Sequence, residues 1–173
     1  VNGSGFLLVA TLSSFSGVAH AQTAEETVAF ILSGAREGVT METPESSYTF
    51  ERTEESAASF NIVATRHGKR YVAEFAVFPV NLCRYRVKFS TAVRTLQYTA
   101  DFSETSGIRY LDDHHSARVS MKSDLAKLSD CTVSGHSYMV KGCPAHFSAF
   151  TDRSRVDDAM KYFRTNFCKG SDF

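Results

Sequence analysis

Apolar and polar residues alternate along most of the stretch from Tyr48 to Met121, and alternation with period two marks strands with one buried and one wet face. The first strand is read at Tyr48–Arg52, with Tyr48, Phe50 and Arg52 on one face. The second, Ser59–Arg66, turns Phe60, Ile62 and Ala64 the same way. His67-Gly68 then stands where a two-residue hairpin loop belongs. With that loop, Ala64 faces Tyr71, Ile62 faces Ala73 and Phe60 faces Phe75, so apolar meets apolar in each pair. A looser turn at Phe78–Leu82 needs an odd length, or a bulge, to keep the inward faces aligned. Strand Cys83–Phe89 pairs with Leu96–Phe102 across Thr91–Arg94, which sets Arg84 opposite Asp101, Arg86 opposite Thr99 and Lys88 opposite Gln97. Ile108–Leu111 and Ala117–Met121 are expected to complete the sheet.

The period changes outside that stretch. Thr23-Ala24-Glu25-Glu26 is a capping box, and Val28, Ile31, Leu32 and Ala35 follow at helical spacing, predicting a helix from about Ala24 to Glu37 with Gly38 as its stop. Residues 39–47 read as a polar connector broken by Pro44. Ser123–Leu128 has room for one or two helical turns, and Pro144–Phe150 carries no period that assigns it. A terminal helix is predicted with Ser154 as cap, Asp157 completing a box, an apolar stripe of Val156, Ala159, Met160, Phe163 and Phe167, and Gly170 at its end. Strands grouped together with helices at both ends give an α+β fold. The expected architecture is an antiparallel meander sheet of about six strands flanked by an N-terminal and a C-terminal helix; the alternative is a sheet curled into a small barrel closed by the terminal helix.

The first residues point to an address. An apolar run from Phe6 ends in Val18-Ala19-His20-Ala21, the small-residue pattern of a signal-peptide cleavage site. Residues 1–21 are therefore expected to be a signal peptide with a truncated n-region, and residues 22–173 a single domain. The other reading is a buried N-terminal strand or helix. No later run reaches the ~20 apolar residues of a membrane span, so a secreted or periplasmic chain without a transmembrane segment is expected. Lysine plus arginine equals aspartate plus glutamate at 19 each, which argues against nucleic acid as a partner.

The four cysteines fit export, where an even number favours disulfides. Cys131 and Cys143 bracket a short loop containing Ser134-Gly135, leaving Cys83 on a strand and Cys168 near the end of a helix as the second pair. The rival, a zinc site, would need paired ligands at spacings these cysteines lack.

Candidate chemistry is sparse. Asp112-Asp113-His114-His115 could join His136 or His146 in a metal or acid–base site, though His114 and His115 point oppositely if extended and at most one serves a given site. Gly135-His136-Ser137-Tyr138-Met139 resembles a nucleophile elbow but lacks its second glycine and the strand-to-helix setting. Arg84, Arg86 and Lys88 share one strand face, with Arg109 and Arg118 as possible neighbours, and form a stripe suited to an anionic ligand. An apolar ligand between sheet and helices, beside Phe75, Tyr85, Val87 and Tyr98, is a further option. No cofactor is implied. The expected function is a binding or accessory module for a small anionic molecule or a protein partner; the alternative is a small exported metal-dependent hydrolase using residues 112–115.

Overall fold

A computed structural model describes residues 22–54, 58–103, 109–111, 119–122, 132–135 and 146–169. The residues of the expected signal peptide, Cys131, Cys143, Asp112–His115, His136, Arg118, residues 123–128 and Gly170 lie outside the described residues.

Helix α1 (Ala24–Ser33) begins on the expected box: the Thr23 amide donates to Glu26 Oε2 at 3.0 Å and the Glu26 amide to Thr23 Oγ1 at 3.2 Å. It ends earlier than periodicity predicts, at Gly34 and not at Gly38. Gly34 takes the left-handed conformation, φ 74°, and its N–H donates to Phe30 O. The Ser33 hydroxyl closes the same turn, donating to Ala29 O at 2.7 Å and accepting from the Ala35 amide at 3.1 Å.

Six strands follow as an antiparallel meander: β1 (Thr40–Glu42), β2 (Ser46–Arg52), β3 (Ala58–Arg66), β4 (Lys69–Pro79), β5 (Arg84–Ser90) and β6 (Arg94–Asp101). Strand β1 lies in the supposed connector. Pro44 starts a tight turn between β1 and β2, in which the Thr43 amide donates to Ser46 O at 2.8 Å. The β3–β4 hairpin turns on His67 and Gly68, both at positive φ, and its register is the one expected, Ala64 to Tyr71, Ile62 to Ala73 and Phe60 to Phe75. Pro79 pairs with Tyr85, so the intervening loop is odd in length, as the parity of the inward faces demands. Arg84 stands opposite Asp101, Arg86 opposite Thr99 and Lys88 opposite Gln97.

The remaining short strands depart from the expectation. Strands β7 (Arg109–Leu111) and β8 (Val119–Lys122) do pair, but in a separate three-stranded sheet with β10 (His146–Ala149), in the order β10-β8-β7. The seventh place in the main sheet goes to β9 (Thr132–Gly135), a segment expected to be loop, which pairs with β6. Helix α2 (Arg153–Asn166) is capped by Asp152, not Ser154: Asp152 Oδ1 accepts from the Arg155 amide at 3.0 Å and from the Ser154 hydroxyl at 2.6 Å. A carboxylate there also meets the positive end of the helix. Asp157 instead accepts from the Tyr110 hydroxyl, joining α2 to β7.

Helix α1 is the centre of the molecule. Every residue from Thr27 to Ser33 is buried, because β3 and β4 pack on one side and β10 and α2 on others. Across the sheet face Phe50, Phe60, Phe75, Val77, Tyr85, Val87, Tyr98 and Ala100 are buried with Phe163 of α2. The gap for an apolar ligand beside Phe75, Tyr85, Val87 and Tyr98 is therefore closed by core packing, with Phe163 seated 4.9 Å from Phe102 and 5.7 Å from Tyr85 between ring centroids. Burial pushes the Tyr85 hydroxyl up to about 12, with Glu25 adding to the rise, and also raises that of Tyr98. A Cys83–Cys168 disulfide, Cα atoms 4.9 Å apart, ties the entry of β5 to the end of α2. Among the described residues no helix is long and apolar enough to cross a membrane.

Candidate functional site

Sequence alone points to the outer face of β5. Arg84, Arg86 and Lys88 do share that face, and each has a neighbour there. Arg84 Nε lies 3.2 Å from Asp101 Oδ2, Lys88 Nζ lies 3.9 Å from Glu74 Oε2, and the Arg86 guanidinium sits 5.5 Å from the centre of the Phe78 ring. The stripe is thus a laced, open sheet face. Only the backbone of Arg109 is described. No group of three or more His, Cys, Asp or Glu residues that could hold a metal ion occurs among the described residues.

Among the described residues a concave feature lies on the helix side of the sheet, between α1 and α2. A groove of about 1020 Å³ is lined by Gln22, Thr23, Glu26, Phe30, Ala35, Arg36, Glu37, Arg52, Phe60, Arg155, Asp158, Ala159 and Tyr162. Its apolar lining is set by elements distant in sequence: Phe30 faces out of α1 and Phe60 comes from β3, both largely buried. Each ring carries a guanidinium. Arg52 lies 5.4 Å from the centre of Phe60, and Arg155 lies 5.8 Å from the centre of Phe30, an arrangement that favours a cation over the ring face.

The two arginines differ in what else holds them. Arg52 is clamped between carboxylates: Nη2 reaches Glu26 Oε1, and Nε donates to Glu37 Oε2 at 3.0 Å. The hydrogen bond it donates to Glu26 holds the guanidinium above its ordinary pKa, against the opposing effect of partial burial, with Glu37 adding to the rise. Glu26 also accepts from the Thr23 amide, so the capping box and the Arg52 clamp share one side chain. Arg36 and Arg155 are exposed, and among the described residues neither has a carboxylate within ion-pair distance. The lining arginines and carboxylates balance in number, but they are sorted, with the clamp around Arg52 and Arg155 standing over an apolar surface.

Periodicity does not disclose this groove. Phe30 falls off the stripe of Val28, Ile31, Leu32 and Ala35, and that displacement is the one signal that α1 has a second apolar side to bury. Arg155 and Phe60 meet it only through the fold. Comparison of the chain with protein-family models, curated proteins and solved structures found no match.

Proposed function

We propose that this chain is an exported, disulfide-stabilised binding module, and that the α1–α2 groove takes a small organic anion with a flat apolar part. The observation that supports this reading is the apolar floor of Phe30 and Phe60 with Arg155 over the Phe30 ring, a guanidinium that feels the Asp152 carboxylate but has none within ion-pair distance among the described residues. Sites of this size bind through apolar lining and fix orientation with a few polar groups. A balanced lining fits a singly charged ligand better than a polyanion, which Glu26, Glu37 and Asp158 would repel. Export rests on the Ala19-His20-Ala21 pattern, and the Cys83–Cys168 bridge fits an oxidising compartment.

Titration of the purified protein with naphthoate, followed by calorimetry, tests the site. Arg155→Ala should weaken binding by about tenfold, the loss of one charge-assisted contact. Arg86→Ser with Lys88→Ser should leave it unchanged. The opposite pattern would move the ligand to the outer face of β5 and overturn the groove assignment.

A further inference from the structure

We infer that the mature chain begins at Gln22 and that this residue closes on itself to form pyroglutamate. This rests on the reading of residues 1–21 as an export signal. Cleavage after Ala21 frees the α-amine of a glutamine, the residue whose own carboxamide lies one five-membered ring away. The amine nitrogen attacks Cδ, the new C–N bond forms, the Cδ–Nε2 bond breaks, and the amide nitrogen leaves as ammonia carrying the proton the amine gives up. No oxidant, cofactor or second substrate is needed.

The fold leaves this step open. Gln22 is exposed at the rim of the groove, one residue before the α1 cap. The capping bonds use the Thr23 amide, the Thr23 hydroxyl and the Glu26 carboxylate, so ring closure breaks none of them. An open terminus places an ammonium ahead of the positive end of α1, on a rim where Arg36, Arg52 and Arg155 are matched by Glu26, Glu37 and Asp158. The lactam is neutral and keeps one ring N–H donor beside its carbonyl acceptor, so cyclisation removes the charge that faces the helix end.

The test is mass spectrometry of the N-terminal peptide of protein recovered outside the cytoplasm of producing cells, before and after prolonged incubation at neutral pH. The expected peptide starts at residue 22, is lighter than its open form by one ammonia, and resists stepwise N-terminal degradation until treated with pyroglutamyl aminopeptidase. A Gln22→Ala chain, processed at the same bond, should show a free amine throughout. A peptide starting at Gln22 with its amine intact after incubation overturns the cyclisation and leaves the export reading standing. A peptide starting elsewhere, or a retained leader, overturns both.

Discussion

Replacing Gly34 by alanine is the sharpest test of how α1 meets the second sheet. A Cβ built on Gly34 would stand 2.7 Å from both N and O of Phe150 and 2.8 Å from its carbonyl carbon. These are backbone atoms, so no side chain can swing aside to relieve the contact. The Phe150 amide donates to Ser33 O at 3.0 Å, and the Phe150 ring lies 4.4 Å from that of Tyr48, so pushing residue 150 away disturbs both. Three effects combine: the left-handed backbone at φ 74°, the overpacking, and the disturbed hydrogen bond from the Phe150 amide to Ser33 O. Together they are worth about 3–5 kcal/mol. Gly68 supplies the control. Its φ is 72°, yet nothing lies within 4 Å of its Cβ position, so Gly68→Ala should cost only about 1 kcal/mol. Urea denaturation of both variants, with the midpoint shift read at unchanged slope, separates the two contributions. Equal losses at Gly34 and Gly68 would refute the close approach of Phe150 to the end of α1.

Two further outcomes test the frame around the groove. The Cys83–Cys168 bridge spans 85 residues, and removing it in a Cys83→Ser, Cys168→Ser variant should cost about 4–5 kcal/mol in the chain-entropy picture; an unchanged urea midpoint would show that the bridge does not restrain the unfolded chain. Asp152→Ala should destabilise by about 1 kcal/mol at neutral pH, and Ser154→Ala by less, reversing the ranking that sequence suggests. The Ser154 hydroxyl and the Arg155 amide hold the Asp152 carboxyl below its ordinary range, so its contribution is complete above that range and is lost as pH falls through the lowered folded value. Acid titration of stability should accordingly be shallower in Asp152→Ala, and parallel acid limbs would count against the cap.

Much of the meander was legible in advance because its information is local. Period two assigns Phe60, Ile62 and Ala64 to one face, and the two-residue loop at His67-Gly68 then leaves a single register that buries them against Phe75, Ala73 and Tyr71. The same parity sets Arg84 beside Asp101. The Cys83–Cys168 pairing was what remained once Cys131 and Cys143 were set across their short loop, and the bridge between β5 and the end of α2 is present.

What tertiary structure alone decided lies where local signals are short or ambiguous. Strands of three or four residues, such as β1, β7 and β9, offer too few positions for a period, and the edge or partner they find determines their sheet. Gly34 and Gly38 are equally able to end a helix, and the backbone of Phe150, approaching Gly34 from far along the chain, decides between them. The groove is a property of spacing between α1 and α2, and its floor and guanidiniums come from elements that no sequence window contains together. Periodicity reports which side of an element is buried; it does not report where two buried elements leave a gap.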